Sequence, residues 1–260
     1  MAHEFDFDEL YSHRDAEYVL GPIQFMRRWL VLNILRSELS PGSRILEVGC
    51  GLGELAFALA EQEYIVDACD LSVQAIQGAQ SRSKIGRRPN FFVADAASFC
   101  APGQYDAILC LEVLEHVPDD AAMVRNLIDS LKPGGALICS VPHSMELWSL
   151  SDEAMGHLRR YTRQEMRALL EAAGLSIKRL FTWGYPLIKI YAVLRRTTAR
   201  QVRGYSTSGK GIQMYTPKGT LMAFYRLFAF LLNRLFLIDA LFLDRGMGIG
   251  IIGLACKATQ

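Results

Sequence analysis

Short apolar runs with the character of β-strands alternate along the chain with segments of helical spacing. The predicted strands are 44–48 (RILEV), 64–69 (YIVDAC), 90–95 (NFFVAD), 105–112 (YDAILCLE), 136–142 (ALICSVP) and 175–182 (LSIKRLFT). Helices are predicted between them at 53–62, 72–83 and 118–131. Strands that alternate with helices are typical of a parallel sheet covered on both faces, so the pattern predicts an α/β fold.

The ends of several elements carry clear start and stop signals. A helix is predicted at 23–39, where apolar residues recur with helical spacing until the sequence SPG at 40–42 stops it. Residues 162–165 (TRQE) form a capping box that begins another helix, and Gly174 is placed to end it. The sequence KPGG at 132–135 predicts a turn before the fifth strand.

The alternation stops after the sixth strand, and a last β-like run comes only at 248–258. Between them lie a Gly/Ser-rich stretch at 204–219 and an apolar run at 221–243. Charged and polar residues interrupt the apolar run, which argues against a transmembrane helix. Because Arg226 and Asn233 share one helix face, a broad apolar arc remains. This arc predicts a helix buried against its own domain or a second subunit, or else one that covers an acceptor or lies at a membrane interface.

The charge is distributed unevenly along a chain of ordinary globular composition. The 260 residues are 51% apolar and 21% charged, and 28 basic against 27 acidic residues leave a net charge of +1, which gives no sign of nucleic-acid binding. Residues 1–180 carry 17 Lys/Arg and 25 Asp/Glu, a net of −8, whereas residues 181–260 carry 11 and 2, a net of +9. Such an imbalance indicates a partner or a special surface.

The first residues and the cysteines bear on the cellular compartment. The segment 1–15 (MAHEFDFDELYSHRD) lacks the basic, apolar and small-residue succession of a signal peptide, so we expect a cytoplasmic location. The six cysteines show no metal-ligand spacing, and most lie in apolar strand-like runs. We therefore expect reduced thiols that pack in the core.

The segment 44–54 (RILEVGCGLGE) runs from a predicted strand through three glycines directly into a helix. Gly49, Gly51 and Gly53 would let backbone amides approach a ligand closely, and the helix N-terminus favours an anionic group. Asp70 ends the next strand 21 residues after the first glycine, where a carboxylate can accept both hydroxyls of a ribose. The spacing is GxGxG, with a glutamate in the sixth place, rather than the GxGxxG of dinucleotide folds.

These motifs resemble those of class I S-adenosylmethionine-dependent methyltransferases. The resemblance rests on the glycine motif preceded by Glu47 and on four further motifs in order, which are DLS at 70–72, ADA at 94–96, YDAILCLEVLEHV at 105–117 and LKPGGALICSVP at 131–142. It covers about residues 40–180 and the final strand. The fold that it implies is a Rossmann-like, seven-stranded, mostly parallel sheet with an antiparallel last strand, helices on both faces and a helical insertion between the last two strands.

The resemblance implies S-adenosylmethionine as the cofactor. Its binding residues would follow the carboxyl ends of the first four strands and comprise Glu47, Gly49, Cys50, Gly51, Gly53, Asp70, Leu71, Asp95, Ala96, Leu111 and Glu112. Within this set the glycines would line the methionine part, Asp70 would hold the ribose and Leu71 would pack on the adenine. Asp95 would accept from the adenine amine, while Leu111 and Glu112 would flank the reacting end.

Methyl transfer from a sulfonium is an in-line displacement, so the protein has mainly to align the acceptor and exclude water, while a base tunes the acceptor. His116, His143 and His157 are the candidate bases, because imidazole titrates near neutral pH. His143 follows the fifth strand at the expected active-site edge, whereas His157 could equally be a surface loop residue.

Glu112, Glu115 and His116 form an ExxEH cluster that is similar to the magnesium-site pattern of ubiquinone-pathway O-methyltransferases. Oxygen-rich ligands suit a hard cation. The same string is common in metal-free relatives, so we predict no metal and expect Glu115 to be solvated.

The chain is expected to divide into three regions: an N-terminal helical cap at 1–40, a cofactor-binding core at 41–182 plus 247–260, and a helical lid or insertion at 183–246. In the family topology the last two strands form a hairpin that opens at the carboxyl edge, where α/β sheets bind their ligands. The insertion is therefore expected to cover the acceptor pocket. The alternatives are a membrane contact and a homodimer interface.

The predicted activity is methyl transfer to an oxygen, nitrogen or carbon atom of a small-molecule acceptor that is apolar, anionic or both. Nucleic-acid amine methylases carry [DN]PP[YF] after the fourth strand, where residues 110–112 read CLE, so a nucleic-acid partner is not expected. The alternatives are an adenosylmethionine-dependent enzyme that does not methylate and a catalytically inactive cofactor-binding module. A nicotinamide-dependent oxidoreductase is the weakest alternative.

Overall fold

The computed structural model describes residues 6–11, 21–82, 88–201 and 220–259, and its centre is one seven-stranded sheet. The strands are β1 (Arg44–Val48), β2 (Ile65–Asp70), β3 (Asn90–Val93), β4 (Tyr105–Leu111), β5 (Leu131–Pro142), β6 (Ser176–Trp183) and β7 (Gly250–Cys256). Their order in the sheet is β3-β2-β1-β4-β5-β7-β6. β7 runs antiparallel to both of its neighbours and all other strand pairs are parallel, so the predicted mostly parallel sheet with an antiparallel last strand is confirmed.

Helices cover both faces of the sheet, as the alternating pattern predicts. In the described residues they are α1 (Phe7–Tyr11), α2 (Pro22–Glu38), α3 (Glu54–Ala60), α4 (Val73–Ser81), α5 (Asp120–Ser130), α6 (Leu150–Ala154), α7 (Arg163–Ala172), α8 (Leu187–Gln201) and α9 (Thr220–Phe236). Neighbouring strand residues pack on opposite faces: Ile45 joins the core formed with α2 and α3, and Leu46 joins the core formed with α5 and α7. Strands buried on both faces explain why their sequences read as continuous apolar runs.

The turn predicted at 132–135 lies inside β5 and not before it. Tyr105 pairs with Leu131, and the next pair is Ala107 with Ala136, so β5 carries extra residues that bulge out between two pairs with β4. Gly134, with a φ of 75°, supplies the backbone conformation that such a bulge needs. The glycines therefore mark a bulge, and the sequence alone does not separate a bulge from a turn.

The chain between β6 and β7 begins and ends at the carboxyl edge of the parallel strands. Trp183 of β6 and Pro142 of β5 both pair with Gly250, the first residue of β7. This segment contains α8, α9 and a 3-10 helix at Leu237–Phe242. The Gly/Ser-rich stretch 204–219 lies outside the described residues. Among the helices that are described, none is both long and apolar enough to cross a bilayer.

Of the expected positions of the apolar run, burial within its own domain holds only in part. Helix α9 contacts α2, and Asn233 and Phe236 are buried, whereas Leu231 and Leu235 are exposed. Arg226, which shares a helix face with Asn233, is exposed as well. One neighbouring helix can cover only part of a helix surface, so much of the apolar arc of α9 faces outward.

The cysteines follow the expectation in part. All six are free thiols, and Cys50, Cys69, Cys110 and Cys139 are buried. Cys100 is exposed, because it lies in the loop after β3 and not in a strand. The prediction of packed core thiols is wrong for this residue.

Candidate functional site

The glycine motif forms a tight loop between β1 and α3. Gly49, Gly51 and Gly53 have φ values of 69°, 52° and 76°, a region that residues with a side chain seldom adopt. The amide of Gly51 donates a hydrogen bond to Oδ2 of Asp70 at 2.8 Å. A Cβ atom at Gly51 would lie 2.8 Å from the Tyr11 hydroxyl, so this position has no room for a side chain. The loop therefore brings backbone amides to the end of β2.

Asp70 lies at the carboxyl end of β2, with its side chain facing the glycine loop. Its second oxygen accepts a hydrogen bond from the amide of Ser72 at 3.0 Å, and the residue is 7% exposed. Burial raises the pKa of the Asp70 carboxyl, and the amides of Ser72 and Gly51 oppose that rise. Each carboxylate oxygen has a second lone pair, so Asp70 can still accept hydroxyls of a sugar.

The predicted adenine-side residues lie beside Asp70 but are much more exposed. Leu71 is 54% exposed, and Asp95 is exposed in the loop after β3, where its Oδ1 accepts from the amide of Ala97 at 2.9 Å. The amide of Ala94 donates to the Asp70 carbonyl oxygen at 3.1 Å, which joins the two loops. Ala96 is half-buried in the same turn. An apolar side chain and a carboxylate thus flank one open surface.

Glu47 precedes the glycine loop and is buried in β1. It is 6% exposed, and its Oε2 has no hydrogen-bond partner among the described residues. Burial raises the pKa of the Glu47 carboxyl well above its usual range, and the charges of Glu54 and Asp70 raise it further. The structure therefore favours a neutral acid directly before the loop.

The end of β4 is held by an ion pair that the sequence pattern did not reveal. Glu112 has a positive φ of 57° and follows the half-buried Leu111. Its Oε1 accepts from the Ser140 hydroxyl at 2.6 Å, and its Oε2 lies 2.8 Å from Nη1 of Arg27 on α2. Both oxygens of Glu112 are thus engaged within the protein. The sequence signal for this contact is a pair of adjacent arginines in the amphipathic helix α2.

His157 forms a carboxylate–imidazole pair with Asp152 of α6. Nδ1 of His157 lies 2.9 Å from Oδ1 of Asp152, which fixes a proton on Nδ1 and leaves Nε2, 3.9 Å from Oε1 of the buried Glu115, as the basic atom. The same oxygen accepts from Nη2 of Arg160 at 2.7 Å. Burial raises the pKa of Asp152, but the hydrogen bond from His157 and the charge of Arg160 outweigh it and lower the pKa to about 2. His157 is therefore held in place and is not a free surface residue.

His143 lies at the end of β5, and backbone carbonyl oxygens hold it in place as the Asp152 carboxylate holds His157. Its Nδ1 lies 2.9 Å from the carbonyl oxygen of Gly248, and its amide donates to the Ile249 carbonyl at 2.8 Å. Because a carbonyl oxygen only accepts, Nδ1 carries the proton and Nε2 is again the basic atom. Arg160 donates to the His143 carbonyl at 3.2 Å and so links the two histidine sites.

Glu115 is buried and His116 is half-buried in the turn after β4, and the burial of Glu115 contradicts the expectation that it is solvated. Glu115 is 0% exposed, and neither of its oxygens has a hydrogen-bond partner among the described residues. The turn packs beneath residues 156–158, where the amide of Leu158 donates to the Glu115 carbonyl. Burial and the neighbouring His157 lower the pKa of His116 to about 4, so its imidazole is neutral and weakly basic.

The predicted ExxEH cluster does not assemble as a magnesium site. Glu112 is engaged by Arg27 and Ser140, and the groups that come together are instead Glu115, His116 and His157, with one donor atom from each within 4.8 Å of the others. One carboxylate and two imidazoles differ from the oxygen ligands that Mg²⁺ prefers. The residues therefore do not fit the magnesium pattern, and no chemical step is assigned to a metal.

The lowered pKa of His116 makes stability depend on pH. An unfolded chain takes up a proton on this imidazole below about pH 6.5, whereas the folded protein does so only near pH 4. The free energy of unfolding should therefore fall by up to about 3 kcal/mol as the pH drops across this window. In His116→Gln that part of the pH dependence should disappear. Urea unfolding at a series of pH values tests this, and equal slopes in the two proteins would contradict it.

Helix α1 lies across three of the loops at the carboxyl edge. The Phe7 ring meets the His116 ring edge-on at 5.4 Å, and the Tyr11 hydroxyl lies against Gly51. Oδ1 of Asp8 accepts from the Ser72 hydroxyl at 2.5 Å and from the amide of Gln74 at 3.1 Å. The hydrogen bond from Ser72 is the main reason that the pKa of Asp8 is lowered. Residues 7–11 thus cover the cleft between the loops after β1, β2 and β4.

We expect Asp8→Asn to loosen this cover without unfolding the protein. The charge-assisted bond to Ser72 becomes a neutral one, so the dissociation rate of a nucleoside cofactor from the cleft should rise roughly threefold to tenfold. Stopped-flow release of S-adenosylhomocysteine measures that rate, and the melting temperature provides the control. An unchanged release rate would show that α1 does not retain the ligand.

The arrangement defines a class of protein that binds a nucleoside cofactor at the carboxyl edge of a Rossmann-like sheet. Residues 21–180 match the family of methyltransferase domains, and the chain belongs to this family. The cofactor of these methyltransferases is S-adenosylmethionine.

Two relatives are ubiquinone biosynthesis O-methyltransferases. The protein from Marinobacter nauticus is 33% identical over 186 residues, which cover 64% of this chain and 78% of the relative. The protein from Xanthomonas campestris is 40% identical over 103 residues, which cover 38% of this chain and 43% of the relative. The chain therefore matches less than half the length of the Xanthomonas protein.

Among solved structures, the [4+2]-cyclase SpnF has a TM-score of 0.62 at 19% identity, covering 99% of this chain and 90% of SpnF. Other similar structures are methyltransferases bound to S-adenosylmethionine or S-adenosylhomocysteine, at 17% to 19% identity. At such identity the likeness shows the fold.

Proposed function

We propose that the protein transfers a methyl group from S-adenosylmethionine to an oxygen atom of a small-molecule acceptor. The observation that carries this proposal is the pair of histidines at the carboxyl edge, each with Nδ1 at 2.9 Å from an oxygen acceptor and Nε2 left basic. A hydroxyl acceptor needs a base of this kind to become a good nucleophile. The similarity to ubiquinone biosynthesis O-methyltransferases supports oxygen as the methylated atom.

The cofactor is proposed to lie across the loops that follow β1 and β2. Asp70 would accept the ribose hydroxyls, and the glycine loop 49–53 would approach the methionine part with its backbone. Leu71 would contact the adenine, and Asp95 would accept from its amine. The exposure of Leu71 and the burial of Asp70 support this order from the outer to the inner end of the cleft.

When bound, S-adenosylmethionine would supply a methyl group activated on its sulfonium, which the acceptor oxygen would take as the carbon–sulfur bond breaks. His157 or His143 would accept the hydroxyl proton on Nε2, so the charge lost from the sulfonium would be balanced by the imidazolium. Asp152 stabilises the positive imidazole that forms on His157. The methyl group is already activated, so the contribution of the protein is alignment, water exclusion and this proton transfer.

The acceptor is proposed to be at least partly apolar. Met145, Leu150 and Leu158 are 54%, 59% and 52% exposed; the first two lie in the chain between the two candidate bases, and Leu158 directly follows His157. Exposed side chains of this size beside polar groups are typical of a binding surface for a small molecule. They would hold the body of an acceptor while the histidines meet its hydroxyl.

The proposal is tested by the production of S-adenosylhomocysteine in the presence of a panel of hydroxylated aromatic and lipid-like acceptors. We expect turnover that depends on the acceptor, with the transferred methyl group recovered on an oxygen atom of the acceptor. Binding of the cofactor without any acceptor-dependent turnover would favour an inactive module or a non-methylating enzyme. Recovery of the methyl group on nitrogen or carbon would contradict oxygen as the acceptor atom.

A further inference from the structure

The segment between β6 and β7 exposes a concentration of large apolar side chains. The described part of the chain exposes eighteen large apolar side chains, and eleven of them belong to this segment. These eleven are Ile190, Val193, Leu194, Leu227, Phe228, Phe230, Leu231, Leu235, Ile238, Leu241 and Met247. On α9, residues 227, 228, 231 and 235 follow helical spacing and form one stripe, which we call the outer face of α9. An exposed apolar stripe on one helix face marks an interaction surface.

Positive charge accompanies the outer face of α9. Arg234 is exposed on this helix next to Leu235 of the stripe, and its guanidinium lies 5.1 Å from the centre of the Phe230 ring. Residues 181–260 hold eleven basic residues and only two acidic ones.

Both acidic residues are committed to contacts within the fold. Asp239 is 0% exposed and accepts from the amides of Leu187 and Ile188 at 2.9 and 2.8 Å. Asp244 forms an ion pair with Arg163 at 2.6 Å. Both acidic residues of the segment are therefore engaged by groups other than Arg234.

We propose that the outer face of α9 docks on a bilayer surface that contains anionic phospholipids. An apolar stripe with a basic residue at its border is the pattern of a helix that lies in the interface, with its apolar face among the acyl chains and its cation at the headgroups. No described helix is long and apolar enough to span the bilayer, so the contact is peripheral. Each cation near an anionic surface strengthens partitioning roughly fivefold.

A second copy of the chain is a poorer occupant of the same face. A two-fold interface brings the same patch of both subunits together, so arginines would face arginines. Like charges across an interface oppose association, whereas a lipid surface of negative charge favours it. The charge on the segment thus selects the bilayer over the homodimer.

Docking of α9 on a bilayer would also determine which acceptors can reach the site. This inference about the acceptor rests on the proposed function. The segment leaves and re-enters the sheet at Trp183 and Gly250, on the edge that also carries His143. Docking would therefore bring the candidate base to the membrane surface. The acceptor class that fits is an amphiphile dissolved in the bilayer with its hydroxyl at the headgroup level.

The test is flotation of the intact protein with two kinds of vesicle. We expect binding to phosphatidylcholine vesicles that contain about one-third phosphatidylglycerol, and at least tenfold less binding to phosphatidylcholine alone. Leu231→Glu and Leu235→Glu should each reduce binding to the anionic vesicles by about tenfold, and Arg234→Gln by roughly fivefold. Since these side chains are exposed, the melting temperatures should stay near that of the wild type.

The matched control is Ile65→Glu, which changes a side chain of 50% exposure at the amino edge of the sheet and should leave flotation unchanged. Equal flotation of wild type and the α9 variants, or none with anionic vesicles, would overturn the proposal. If sedimentation shows a dimer and Leu231→Glu dissociates it, the outer face of α9 binds a second copy of the chain. That result would also overturn the proposal. Flotation needs no methyl transfer, so its outcome is independent of the turnover assay.

Discussion

Asp70→Ala should abolish most of the affinity for S-adenosylmethionine. The variant removes a carboxylate that would accept both ribose hydroxyls, and hydrogen bonds to a charged group are worth about 1.5 to 3 kcal/mol each. The dissociation constant should therefore rise by at least about a hundredfold. The fold should also lose some stability, because the amides of Gly51 and Ser72 lose their acceptor.

Asp70→Asn separates the two effects. The amide oxygen can still accept from one of the two backbone amides, so the melting temperature should stay closer to the wild type than that of Asp70→Ala, while the charge that strengthens the ribose bonds is lost. Asp95→Asn is the matched control, since this exposed residue would meet only a neutral amine and should have a smaller effect. Titration calorimetry with S-adenosylhomocysteine gives the affinities. Unchanged affinity in folded Asp70→Asn would overturn the cofactor assignment.

The same residue gives cofactor binding a pH dependence. The ionised carboxylate is the form that accepts two hydroxyls, and burial raises the pKa of Asp70 above its usual 3.8. Affinity should therefore begin to fall at a higher pH than it would with an exposed aspartate as the ribose acceptor, and it should fall further as the pH drops.

His157→Ala should slow methyl transfer by about a hundredfold to ten-thousandfold while cofactor affinity stays nearly unchanged. The imidazole is held by Asp152 and would receive the acceptor proton, whereas it has no assigned contact with the nucleoside. Added imidazole should restore part of the rate, because the variant leaves a space where the ring was. A purely structural role for His157 would not give such rescue.

His143→Ala is the companion experiment, since this residue offers a second basic nitrogen at the same edge. Its loss should also lower the rate without changing cofactor affinity. Single-turnover rates of both variants over about pH 6 to 9 separate proton transfer from acceptor binding. Wild-type rates in both single variants across this range would place the base elsewhere or show that the acceptor needs none.

The sheet could be predicted because its causes are local in the sequence. β1 lies at the predicted residues 44–48, and the capping box at Thr162 and Glu165 makes both of its hydrogen bonds. Apolar runs of this length and their connecting helices depend on burial and spacing, which the sequence displays directly. The bulge at 132–135 could not be separated from a turn, because both require the same glycines.

The ion pairs and hydrogen bonds that hold the candidate site residues in place could not be predicted, because they join residues that are far apart in the sequence. Arg27 reaches Glu112 from α2, far away in the sequence, and Arg160 joins Asp152 to the His143 backbone. The same limit applies to Asn233, whose burial is decided by how α9 packs and not by its polarity. Contacts between residues that are far apart in the sequence decide such cases. The spacing of residue types along the chain does not reveal these contacts.

The carbonyl oxygen of Gly248 joins the segment between β6 and β7 to the candidate base. A Cβ atom at this glycine would collide with the Trp183 backbone, so any other residue there would shift the carbonyl that holds Nδ1 of His143. In protein engineering, the segment is an obvious unit to exchange when a new acceptor is wanted. A replacement that ends before residue 248 would leave the imidazole tautomer intact, whereas one that includes this glycine would disturb the proton-accepting nitrogen along with the specificity.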